Sequence, residues 1–146
     1  MAKNLGLSNF SRVNMLRFFL AIFALLEVAA HLFASPGTTP QITFWLEVEI
    51  AVYSVIAIIY LLGLRFYYTP ALLFSIFNIL IFFISAFFVI PGISTVPLIG
   101  HVQFLQYSFG RAVALSNWIL LIAFGAAALK YDKGSEINAF LRSVKV

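Results

Sequence analysis

The chain has 146 residues, of which 63% are hydrophobic and 10% charged, at a mean hydropathy of +1.05; integral membrane proteins have this balance and ordinary soluble domains do not. A net charge of +4 would indicate nucleic acid in a soluble chain, but the basic residues gather at the ends of apolar runs, as topology signals do, so nucleic acid is excluded as a partner and the lipid bilayer takes its place. Cysteine is absent, which removes disulfides, thiolate metal sites, iron–sulfur clusters and any cysteine-ligated cofactor.

Residues 1–14 form a polar, basic lead-in in which Ser8 or Ser11 offers an N-cap. The first span is expected over 15–34, MLRFFLAIFALLEVAAHLFA, and carries Glu27 and His31 within its apolar run. Their spacing of four puts both on one helix face, where a carboxylate can orient or protonate an imidazole. An acid within a span costs on the order of 2.5 to 3.5 kcal/mol to insert, so it is expected to face protein or a wet cavity. Because Glu27 would interrupt the apolar region of a signal peptide, the stretch is read as a retained span. Turn formers from Ser35 to Pro40 close it.

The second span is predicted over 41–64, with Glu47 and Glu49 in its first turns. Two residues apart, these acids point to different faces, and at least one is expected to be an interfacial acid favoured by the helix dipole. Gly63, Leu64 and Arg65 close the span. Pro70 is expected at the first position of the third, over 70–90, since Pro loses no intrahelical hydrogen bond there. Ser75, Asn78 and Ser85 share one narrow side of that helix and are expected to face other helices. The longest connection follows and holds His101, read as solvated after Gly100. The fourth span, over 104–129, carries Arg111 and Asn117. Beyond it, 135–144 has apolar residues at helical spacing, with Ser135 as a cap, and is expected to form a short amphipathic helix at the interface.

These elements make one transmembrane domain, an all-α, four-helix up-and-down bundle. Of the nine Lys and Arg residues, all but Arg111 fall on the side of the N-terminus, the second connection and the C-terminus. The positive-inside rule makes that side cytoplasmic, in a multi-pass protein of the cell membrane.

Glu27, His31, Glu47, Glu49, His101 and Arg111 fall at similar depths, in the outer half of the membrane or at its outer surface. They are the candidate ionisable groups, with Glu27, His31, Arg111, Glu49 and Glu47 as candidates for proton handling. Arg111 either pairs with a Glu or snorkels to the headgroups. A haem held by two histidines would need His31 and His101, the only two in the chain, which are the candidate cofactor ligands. Glu27 and His31 do not define a metal site by themselves, and no metal is expected. Phosphate-binding, dinucleotide-binding and zinc-protease motifs are absent.

The run LGLRFYYTPALLFSIFNILIFF, Leu62 to Phe83, resembles the helix, basic turn and helix of DoxX-like membrane proteins, and the close ALKYDKGSEINAFL is similar to that family's ending. The similarity covers the four-span layout from Arg17 to Leu141. It departs in the first span, which is bulky and Phe-rich, and in the paired Glu residues entering the second. The family includes small membrane subunits of thiosulfate:quinone oxidoreductases, so the resemblance implies a quinone-linked redox setting without assigning a catalytic residue. The function expected is a small membrane subunit of a redox complex, with other membrane subunits as partners. The alternatives are a structural or assembly subunit of a larger membrane enzyme, or a small carrier or channel.

Overall fold

The computed structural model describes residues 3–35, 40–88 and 109–135. Four α-helices carry the chain: α1 (Lys3–Ala34), α2 (Pro40–Leu61), α3 (Tyr68–Phe87) and α4 (Phe109–Tyr131). Each contains a segment long and apolar enough to cross a membrane: Arg12–Ala34, Ile42–Leu61, Arg65–Ile84 and Val113–Tyr131. The described residues therefore form an all-helical, multi-pass membrane protein. The segment expected as a tail helix, 135–144, lies outside the described residues from 136 onward, as do His101 and the start of the fourth span.

Several ends differ from those read off the sequence, for physical reasons. Helix α1 begins at Lys3 and has 32 residues, about 48 Å at 1.5 Å per residue, well beyond the ~30 Å hydrocarbon core. Ser8 and Ser11 therefore lie inside the helix rather than at its N-cap position; once the apolar span has supplied the nucleus, extension backward through a lead-in without Pro is easy. Helix α2 stops at Leu61 because Gly63 takes the left-handed conformation, φ +63°. The amide of Leu64 then donates to the carbonyl of Ile59 at 3.0 Å and that of Gly63 to Tyr60 at 3.1 Å, the paired bonds of a Schellman close. A 3-10 turn, Arg65–Tyr67, leads directly into α3. Pro70 is accordingly the third residue of α3, still within the first turn, where a missing N–H is harmless.

Helix α1 packs against α2 and α4, and α3 packs against α4. Helices α2 and α3 meet chiefly through rings, Tyr53 on Phe74 at 5.4 Å and Tyr60 on Tyr68 at 4.9 Å between centroids. Small buried residues, Ala21 and Ala24 in α1, Ala57 in α2, Ala71 in α3 and Ala128 in α4, let the backbones approach, as lipid-embedded helices require. Large apolar side chains such as Phe18, Leu25, Phe77 and Ile119 are exposed, which suits a surface that faces lipid. Arg17, Gly63, Tyr68 and Asp132 gather at one end of this helix bundle, while His31, Tyr53, Asn78 and Trp118 gather toward the other.

Candidate functional site

Polar side chains occupy the bundle interior at two levels. The first is built on the face of α1 that carries Glu27 and His31. Glu27 is fully buried, and both of its carboxyl oxygens lack a hydrogen-bond partner. One turn on, His31 Nδ1 lies 2.7 Å from the backbone oxygen of Glu27 and 3.7 Å from its Oε2. A carbonyl oxygen can only accept, so Nδ1 carries a hydrogen. The other ring nitrogen, Nε2, pairs with Oε2 of Glu49 on α2. The imidazole thus stands between two carboxyl groups. Exposure rises along the row, from 0% for the Glu27 side chain to 6% for His31 and 22% for Glu49.

The surrounding residues fix the ring. His31 stacks on Tyr53 of α2 at 6.0 Å and lies beside Trp118 of α4 at 6.2 Å. The Tyr53 hydroxyl accepts a hydrogen bond of 2.9 Å from Asn78 Nδ2 of α3, so Tyr53 cannot swing away without stripping a buried amide. Asn117 of α4 faces the Glu27 carboxyl outside hydrogen-bonding geometry, and its Nδ2 is buried without a partner, as is the Trp118 indole nitrogen. Unpartnered buried groups of this kind cost about 1–3 kcal/mol each, so this level is expensive in stability.

The second level lies near the other end. The single Asp of the chain, Asp132, follows α4 directly and is buried. Its Oδ2 accepts from Arg17 Nε and from the Tyr68 hydroxyl, each at 2.6 Å, and its Oδ1 accepts from Arg17 Nη2 at 2.6 Å and from the Gly134 amide at 2.7 Å. The two parallel bonds from Arg17 are the strong, fork-like form of an ion pair. Burial pushes the Asp132 carboxyl up, but the bonds from Arg17, Tyr68 and Gly134 outweigh it and hold the acid below the ordinary carboxylate range. Arg65 Nη2 donates to the carbonyl of Leu129 at 2.9 Å. Ser135 closes on the turn after α2, its amide to Gly63 O at 3.0 Å and its hydroxyl to Leu62 O at 2.6 Å.

Of the residues singled out from the sequence, Glu27, His31 and Glu49 come together. Glu47 is exposed on α2, apart from them. The side chain of Arg111 lies outside the described residues, as does His101, so pairing of the former and haem ligation by the latter fall outside them too. Ser75 and Asn78 are buried between helices, as their shared stripe predicts, and the side chain of Ser85 is not among those described. Sequence reasoning did not find the pair of Arg17 and Asp132. A signal was available: a lone Arg inside an apolar run and a lone Asp just past another, on the same side of the membrane by the basic-residue pattern, are complementary charges at matching depth. Tyr53 and Trp118 carried no such signal, because an aromatic in a span looks the same whether it faces lipid or a histidine. Comparison of the chain with protein-family models, with curated proteins and with solved structures gives no match.

Proposed function

We propose that the protein is a small membrane subunit of a redox complex, quinone-linked as in the DoxX-like proteins that its second hairpin resembles, and that it handles protons through Glu27, His31 and Glu49. In this reading the helices form an up-and-down bundle with both termini cytoplasmic, and the segment 135–144 lies at the interface as a docking helix. One observation carries the proton-handling role: a buried acid, an imidazole with a nitrogen toward each neighbour, and a partly exposed acid stand in a row of rising exposure. Histidine between two carboxyl groups is suited to take a proton on one nitrogen and release one from the other. Ionisable groups inside a span are also functional-site candidates by default, and proton relays are among the roles they take.

With no Cys to ligate a cofactor, electrons are assigned in this reading to a partner, and protons are what this subunit contributes. Purification from native membranes under mild detergent is expected to bring stoichiometric partners with quinone or haem absorbance. A chain that comes away alone supports a carrier, and one that comes away with partners lacking such absorbance supports an assembly subunit. Glu27→Gln keeps the shape and loses the titratable proton. Turnover of the copurified complex is expected to fall by about 10²-fold or more, the usual scale for a lost general acid or base. Unchanged turnover with unchanged assembly would refute proton handling.

A further inference from the structure

Along α1, ten residues separate Arg17 from Glu27, about 15 Å of helix. The interior between the two polar levels is made of Leu20, Ala21 and Ala24 of α1, Ile56 and Ala57 of α2, and Leu121 of α4, all buried. Tyr60 lies at the same level, packed on Tyr68 and against Gly125 of α4, where an added Cβ would stand 3.2 Å from the Tyr60 hydroxyl. The same Cβ would press on Leu72 at 3.3 Å, so packing is close here. The polar side chains at this level are the Tyr60 hydroxyl and the buried Ser75 of α3, whose hydroxyl donates to the Ala71 carbonyl at 3.3 Å; water is left little space among them. Below it, Asp132 spends its acceptor sites on Arg17, Tyr68 and Gly134. Toward the other end, Glu27 meets His31, and His31 meets Glu49, whose side chain is the most exposed of the three.

We propose that the carboxyl of Glu27 exchanges protons with water at the Glu49 end of the bundle only, by way of His31, and that the dry level with the Arg17–Asp132–Tyr68 cluster beneath it closes the opposite route. This rests on the proton-handling role above and adds its direction. The step balances within the row. A proton passes from Glu49 Oε2 to Nε2 of His31, and the hydrogen on Nδ1 passes to Oε2 of Glu27. The Glu27 carboxyl gains a proton, Glu49 loses one, and the ring ends neutral with its hydrogen on Nε2. The reverse sequence empties Glu27. The 3.7 Å between Nδ1 and Oε2 must close to about 2.6–3.2 Å for transfer, a movement that rotation of the Glu27 side chain, whose oxygens are tied to nothing, supplies. The other polar groups facing the row are Tyr53 of α2 with its neighbours Asn78 and Ser75 of α3, the latter with its hydroxyl on the Ala71 carbonyl, and Asn117 and the Trp118 indole of α4. None of these is hydrogen-bonded to Asp132, whose partners are Arg17, Tyr68 and Gly134.

Sealed proteoliposomes of the full chain test this. Lys133 is exposed at the Asp132 end, and the chain has no native Cys, so an impermeant maleimide on Lys133→Cys reports which end faces out. Infrared difference spectra follow the protonated-carboxyl stretch after a pH step in the outer solution, with Glu27→Gln assigning the band. With the Glu49 end outward the band is expected to respond directly. With the Asp132 end outward it is expected to respond only once a protonophore equalises the two sides. A direct response from the Asp132 side overturns the one-sided route and leaves proton handling standing. No response from either side, protonophore present, overturns both. If Glu27→Gln fails to insert, His31→Gln is expected to slow the direct response about 10²-fold; an unchanged rate overturns the route through His31.

Discussion

Replacing Asp132 by Ala tests the cluster that ties three helices together. The substitution removes one carboxylate and with it four hydrogen bonds of 2.6–2.7 Å, from Arg17 Nε, Arg17 Nη2, the Tyr68 hydroxyl and the Gly134 amide. What remains is an Arg17 side chain only 13% exposed and the hydroxyl of the fully buried Tyr68, neither with its acceptor. Removing one partner of such a pair costs about 3–5 kcal/mol, because the remaining charge has lost both water and counter-ion. A deserted hydroxyl adds about 1–3 kcal/mol when counted separately. The two overlap, since both arise from the same missing carboxylate, so about 3–5 kcal/mol is the expected total. The double variant Arg17→Met with Asp132→Leu removes both charges and is expected to regain most of the loss, leaving a coupling of about 2 kcal/mol or more in the double-mutant cycle. Reversible unfolding in mixed detergent micelles, read by tryptophan fluorescence, measures each variant. A loss under about 1 kcal/mol for Asp132→Ala, the range of an exposed surface pair, would refute the cluster as a structural tie.

Three further outcomes follow from the same geometry. Asp132 is held below its ordinary value, so the folded state binds its proton less readily than the unfolded one; its contribution is complete above the ordinary carboxylate range near pH 4 and is lost as pH falls below it. Unfolding free energy measured from pH 7 to 3 is expected to drop at the acid end, less so in Asp132→Asn. Gly63→Ala combines a left-handed residue, φ +63°, with a Cβ 2.5 Å from the Arg17 Cζ. Strain alone costs about 1–2 kcal/mol, the displaced guanidinium more, and in an Arg17→Met background the melting shift is expected to shrink to strain alone. Glu27→Leu replaces two buried oxygens that have no partner with a side chain of similar bulk, and is expected to leave stability unchanged or raise it by about 1–3 kcal/mol, while abolishing the proton response. A clear fall in stability would make Glu27 a packing strut.

Much was decided by the chain alone. Length and hydropathy require four apolar helices, because a backbone in lipid must satisfy its own hydrogen bonds and the helix is the form that does so within one segment. The spacing of Glu27 and His31 puts them on one face before any neighbour is known, since 3.6 residues make a turn. The stripe of Ser75 and Asn78 likewise indicated which side of α3 is buried. What the chain could not decide is which faces meet. Glu47 and Glu49 are equivalent as letters, and only the rotation of α2 against α1 turns Glu49 to His31 and leaves Glu47 exposed. Arg17 and Asp132 are 115 residues apart, and Arg17 reads equally well as a membrane-surface anchor until the end of α4 is brought against it. Helix ends were also settled by neighbours: α2 stops where Gly63 turns beneath the Arg17 guanidinium. Periodicity is a property of one helix and survives in the sequence; rotation and depth are properties of pairs, and the lateral packing of small residues and rings determines them.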